Sequence, residues 1–200
     1  MSKDIINIKV SDIFKGFPDF EQNNNNAVVI HKKSDKPRNI SLKETNTFHK
    51  KKHLIMKTIY STLDNDETIY GARALNVRMP NHLDRHTRDA DIFTQTPYKE
   101  AREAEKALDT MMGFDAFYVV SAEHEGTVKV KAHATDETYA DYTMTPKGLR
   151  RENIQGIFYP TIPQIEQSLK HTLADPTASH RHAKDQDALN RIQIYKRRLF

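Results

Sequence analysis

Between residues 98 and 144 the spacing of apolar residues changes from the period of a helix to the period of a strand. No other feature of the sequence constrains the fold as strongly. Ala101, Ala104, Leu108 and Met111 recur at helical intervals, so residues 98–112 are predicted to form an amphipathic helix that Gly113 terminates. From residue 128 the period is two. Val128, Val130, Ala132 and Ala134 alternate with Lys129, Lys131 and His133, as in an antiparallel strand with one buried face. Residues 114–122 read as a strand before it, with Glu125-Gly126 as the turn between them, and residues 138–144 read as a strand after the Asp136-Glu137 turn. A helix joined to three strands, each apolar on one side, implies a sheet with a helix laid on its apolar face.

The rest of the chain extends this pattern. Residues 41–63 are predicted to be helical, with Ser41 and Glu44 forming a capping box and Leu54, Ile55, Ile59 and Leu63 a buried stripe. Residues 68–70 form a short strand ending at Gly71, residues 72–78 one or two helical turns before Pro80, and residues 87–94 another strand. Helical patterning returns at 163–173 and 183–199. The expected class is α+β (mixed α/β): a mixed sheet with helices mainly on one face and a C-terminal helical segment. The expected division is an N-terminal arm over 1–40, a core over 41–150 and a helical segment over 151–200. In the arm, Phe14, Phe17 and Phe20 are candidate docking anchors, the four asparagines at 23–26 a link, and residues 27–30 a short strand.

Two residues inside the predicted strand 87–94 carry the chemistry. Asp89 and Asp91 are separated by one position, so in a strand their side chains share a face while Ala90 and Ile92 point to the core. Adjacent carboxylates repel, and a divalent cation between them relieves the repulsion. Asp141 sits between Ala140 and Tyr142 in a later strand, on the side opposite to the apolar set Ala140, Tyr142 and Met144. Three such carboxylates suit Mg2+ or Mn2+, which take hard oxygen ligands, and suit in-line attack on a phosphate. The histidine pairs His49 with His53 and His180 with His182 are close in sequence, but no third ligand accompanies them, and exposed helix histidines are the simpler reading.

These motifs occur in a particular order. Ile69-Tyr70-Gly71-Ala72-Arg73-Ala74-Leu75 is a strand running into a helix through glycine, and Arg85-His86-Thr87-Arg88-Asp89-Ala90-Asp91-Ile92-Phe93 follows it. Asp141 returns in a strand, and Arg181-His182-Ala183-Lys184-Asp185-Gln186-Asp187-Ala188-Leu189 opens the last helix. Over residues 66–195 this series resembles the nucleotidyltransferase superfamily related to DNA polymerase beta, and within it the AbiEii/AbiGii-type toxin branch. The resemblance implies metal binding by Asp89, Asp91 and Asp141, nucleotide contact at Gly71, Ala72, Arg85 and Thr87, and catalytic roles for Asp141, Lys184 and Asp185. Ala72 stands where many members have serine, Arg73 where the branch often has a small residue, and the later aspartate is one position off the usual spacing.

The implied activity is metal-dependent transfer of a nucleoside monophosphate from an NTP to a hydroxyl on an RNA or tRNA end, a protein or a small molecule. The alternative is a protein that keeps the fold with a lost or repurposed site, in an assembly such as a phage or virus particle. The net charge of +4 is unevenly spread. Basic residues crowd into 30–57 and 181–198, where nucleic acid is the expected partner, while the arm is the expected contact for a protein assembly. The absence of cysteine removes disulfides and thiolate zinc sites from consideration, and no apolar run approaches a membrane span. Residence in the cytoplasm, a host's cytoplasm or a virion is the expectation.

Overall fold

The computed structural model of the chain describes residues 36–123 and 125–198. The expected anchors Phe14, Phe17 and Phe20, the asparagine run, the strand at 27–30 and the basic residues Lys32 and Lys33 lie outside the described residues. The described chain divides into two units, one built from residues 36–67 and 88–148, the other from 68–87 and 149–198.

The first unit begins with α1 (Leu42–Lys51). Its capping box forms as the sequence predicts: the Glu44 amide donates to Ser41 Oγ at 3.3 Å, and the Ser41 amide donates to Glu44 Oε2 at 2.7 Å. Those bonds to Ser41, with the Arg38 guanidinium 3.0 Å away, hold the Glu44 carboxyl down at about 2. The predicted single helix over 41–63 is interrupted. Residues 52–54 tighten into a 3-10 turn before α2 (Ile55–Thr62). Both lysines at this break are tied to other elements. Lys51 Nζ donates to the carbonyls of Met111 and Met112 at 2.7 and 3.2 Å, and Lys52 Nζ pairs with Glu137 at 3.0 Å.

Strands β2 (Ala90–Thr94), β3 (Phe117–Ser121), β4 (Thr127–Ala132) and β5 (Thr138–Met144) follow in this unit. They lie side by side in the order β2-β5-β4-β3, with β2 and β5 parallel and the other pairs antiparallel. Helix α4 (Pro97–Met112) packs on the apolar side of this sheet and against α2. Ala101, Ala104 and Leu108 are fully buried as expected, but the last member of the stripe is Met112 rather than Met111. Gly113 closes the helix with φ +85°, a conformation that costs a residue with Cβ. Asp109 Oδ1 then accepts from the amides of Ala116 and Phe117 at 2.8 and 2.9 Å, which delays the strand predicted from 114 until Phe117.

The alternation predicted for β4 ends at Ala132, not Ala134, because the chain turns through Asp136 at φ +56°. A register shift opposite Val130 and Lys131 inserts one extra residue into β5. Tyr139 and Ala140 are therefore both buried, although they are neighbours in a strand. Tyr139 packs edge-on against Phe48 and Phe117, with ring centres 6.3 and 5.8 Å apart. Beyond the bulge the alternation resumes, with Tyr142 buried and Asp141 and Thr143 on the other face.

The second unit contains β1 (Thr68–Tyr70), α3 (Gly71–Asn76), a hairpin of β6 (Arg151–Ile154) and β7 (Ile157–Pro160), and helices α5 (Ile162–Ala174) and α6 (His182–Arg198). The hairpin was not expected from the sequence. Its turn is Gln155-Gly156 with φ +55° and +89°, and glutamine is not among the residues that usually adopt a positive φ. Leu75, Met79, Ala188 and Ile192 form the core of this unit, with Leu83, Ile165 and Leu169 packed around them. Among the described residues, no helix is long and apolar enough to cross a membrane.

Candidate metal centre

The polar side of the sheet in the first unit gathers the three aspartates. Asp91 in β2 is the direct partner of Asp141 in β5, in parallel register. Ala90 and Ile92, on either side of Asp91, are fully buried, so the strand's alternation turns Asp91 away from the core as predicted. Asp89 departs from expectation. It lies in a bend just before β2, because the strand predicted over 87–94 begins only at Ala90. Upstream, the Thr87 carbonyl accepts from Arg73 Nη2 at 3.3 Å, and Arg88 pairs with Glu137 at 2.9 Å, so this stretch is held by side chains before the strand starts.

The bend nevertheless brings Asp89 into the group. One oxygen from each of Asp89, Asp91 and Asp141 lies within 4.8 Å of the others, and all three residues are half-buried. Among the described residues, this is the group of three or more histidine or acidic side chains close enough to share an ion. Opposite ligands of an octahedral magnesium ion stand about 4.2 Å apart, so small side-chain rotations would bring the three oxygens around one ion. The donor set is all carboxylate oxygen, the chemistry hard divalent cations prefer. The β5 bulge positions the third carboxylate: it lets Tyr139 turn inward while Asp141 remains on the polar face.

Sequence reasoning missed Lys129 as a part of this group. In β4 it stands opposite Asp141, so Asp91, Asp141 and Lys129 form one row across three strands. Its Nζ is 3.9 Å from Asp141 Oδ2. The alternation of β4 already put Lys129 on the polar face, but which residue it would meet depends on strand register, which the local pattern does not carry.

The residues for which nucleotide contact was expected lie in the second unit. Gly71 has φ +67°, where a Cβ is strained, and it opens α3 as the chain leaves β1. Ala72 follows, mostly buried. The backbone of Arg85 is held by the Asn76 side chain, whose Nδ2 donates to the Arg85 carbonyl at 2.8 Å and whose Oδ1 accepts the Arg85 amide at 3.1 Å. Buried Arg191 on α6 donates to the same Oδ1 at 2.7 Å. Nothing in the sequence singled out Asn76 or Arg191. Lys184 is exposed, whereas Asp185 is buried at 2% exposure and pairs with Arg181 at 3.6 Å. Of the histidines, His182 Nε2 lies 3.1 and 3.0 Å from the carbonyls of Thr172 and Asp175, an arrangement that fastens the end of α5 to the start of α6.

No protein-family model matches this sequence, and no curated protein matches it. Among solved structures, it is similar to the Megavirus polyadenylate synthase, with a TM-score of 0.61 and 21% identity, over 74% of this chain and 32% of that one. It also aligns with JHP933 from Helicobacter pylori at a TM-score of 0.43 and 17% identity, over 76% of this chain and 66% of that one. This chain thus spans about a third of the Megavirus protein. The first likeness establishes the fold: a nucleotidyltransferase-type mixed sheet with helices on one face, as the sequence led us to expect.

Proposed function

We propose that this chain is a metal-dependent nucleotidyltransferase that moves a nucleoside monophosphate from an NTP to a hydroxyl. The observation that carries the reading is the convergence of Asp89, Asp91 and Asp141 on one face of the sheet. A divalent ion bound there would offset the charge that develops on the phosphate and on the attacking oxygen. Asp89 and Asp91 would hold that ion, and Asp141 would also orient the attacking hydroxyl. The resemblance in sequence further assigns nucleotide contact to Gly71, Ala72, Arg85 and Thr87, and supporting roles to Lys184 and Asp185. The Megavirus protein of this fold is a polyadenylate synthase. Extended to this chain, that activity makes an RNA 3′ hydroxyl the first acceptor to try, ahead of a protein or small-molecule hydroxyl and of the narrower AbiEii/AbiGii-type assignment.

The test is incubation with each labelled NTP and magnesium or manganese, with and without RNA. Labelled product should form with the wild type and disappear in Asp89→Asn/Asp91→Asn. Full transfer by that double variant would exclude these carboxylates from the reaction. One observation favours the second reading, a repurposed site: the Lys129 ammonium already supplies a positive charge beside Asp141. A wild type that neither binds divalent metal nor transfers from any NTP would make that reading the better one.

A further inference from the structure

Three carboxylates within 4.8 Å of one another, with an ammonium 3.9 Å from one of them, carry a formal charge of about −2. Several other basic side chains of this unit are paired elsewhere. Lys131 pairs with Asp136 at 2.8 Å, and Lys52 and Arg88 pair with the two oxygens of Glu137 at 3.0 and 2.9 Å. Lys129 differs in that the carboxylate it meets belongs to the cluster itself. Its position is fixed by strand register, since Lys129 and Asp141 are cross-strand partners, and its side chain is 36% exposed, which leaves the ammonium room to move toward solvent.

We infer that Lys129 is a built-in competitor for the divalent cation. The inference rests on the reading above, that the three aspartates hold such an ion. In the metal-free protein the Lys129 ammonium offsets part of the repulsion among the carboxylates and keeps Asp141 in position. When the ion binds, the ammonium is a like charge beside it and withdraws. Affinity for the ion is thereby set below what three carboxylates alone would give. Lys129 is a positioning residue and is assigned no contact with substrate. A unit charge a few ångströms from a divalent ion, with screening close to that of water, corresponds to about a tenfold change in Kd.

The probe is manganese, titrated into the full-length protein without nucleotide and followed by the electron paramagnetic resonance signal of the free ion. Lys129→Met should bind manganese about tenfold more tightly than the wild type, while Lys129→Arg, which keeps the charge, should bind as the wild type does. Lys129→Gln provides a second neutral side chain should the methionine variant fail to fold. Asp91→Asn identifies the site by abolishing the tight binding. If the wild type binds manganese, Asp91→Asn does not, and the neutral variants bind no more tightly than the wild type, the role of Lys129 is overturned while the metal site stands. If neither the wild type nor the neutral variants bind, both readings fall. Binding by the neutral variants alone would support the inference in its strongest form.

Discussion

Replacing Asp91 with asparagine tests the electrostatics of the cluster without reference to any substrate. At 4.8 Å, two unit charges repel by about 0.9 kcal/mol in water and about 3.5 kcal/mol at an effective dielectric constant of 20. The three residues are half-buried rather than enclosed, so the lower figure is the better guide. Asp91 takes part in two of the three repulsions, so neutralising it should stabilise the metal-free protein by about 1–2 kcal/mol after the favourable share of Lys129 is lost. For a chain of this size that raises Tm by roughly 2–8 °C. In magnesium at ten times its Kd, the wild type should instead gain about 1.4 kcal/mol by linkage, a gain the variant lacks. Thermal melts of both proteins in chelator and in magnesium give the four values needed. The expected result is a crossing: the variant more stable in chelator, and the gap closed or reversed in magnesium. A variant less stable in chelator, combined with a wild type indifferent to magnesium, would refute the argument, because repulsion would then not be the interaction that dominates at Asp91.

Gly71→Ala places a Cβ at φ +67° and should cost about 1–2 kcal/mol in urea unfolding, whereas Gly71→Asn should cost less; equal losses would mean that backbone strain is not the cause. Burial pushes the Glu67 carboxyl up to about 7. Because the folded protein holds this proton more tightly than the unfolded chain does, stability should fall as pH rises from about 4.5 to 7. Glu67→Gln should therefore match the wild type near pH 4 and melt higher than it at pH 8, and parallel profiles would exclude the effect. Lys50 and Lys57 are exposed on α1 and α2, whereas Lys51 and Lys52 are engaged within the fold. If the basic stretch meets nucleic acid, reversing Lys50 and Lys57 to glutamate should flatten the salt dependence of RNA binding without lowering Tm, and an unchanged slope would assign both lysines to solvent.

What the sequence disclosed depended on whether the signal was local. The capping box at Ser41 and Glu44, the stripe of α4, the alternation of β4 and the bounds of β5 all rest on neighbours within one or two turns; the capping box and the bounds of β5 appear as read, while the stripe holds through Leu108 and the alternation through Ala132. Where side chains from distant segments intervene, boundaries moved. Asp109 takes two amides that would otherwise begin β3, and Arg73 takes the carbonyl of Thr87 ahead of β2. The hairpin at 151–160 was hidden by glutamine in a position where asparagine or glycine would have announced the turn. The grouping of Asp91 with Asp141 was accessible from alternation, since both had to leave the apolar face. Lys129 was not accessible, because its meeting with Asp141 depends on register, and register here is altered by a bulge at Tyr139 that no local pattern foretells.

The parallel pairing of β2 with β5 also bears on the order in which the three aspartates come together. Strands β3, β4 and β5 are joined by short antiparallel connections and can zip from their turns, while Asp91 reaches Asp141 only by closing a loop of about fifty residues. A growing polypeptide that has passed β2 but not β5 carries two of the three aspartates and none of the geometry between them and the third. The three-aspartate cluster is therefore completed by a contact that closes a far longer loop than those joining β3, β4 and β5. A cation that binds there would report on the end of folding rather than its beginning, and should slow unfolding far more than it speeds refolding.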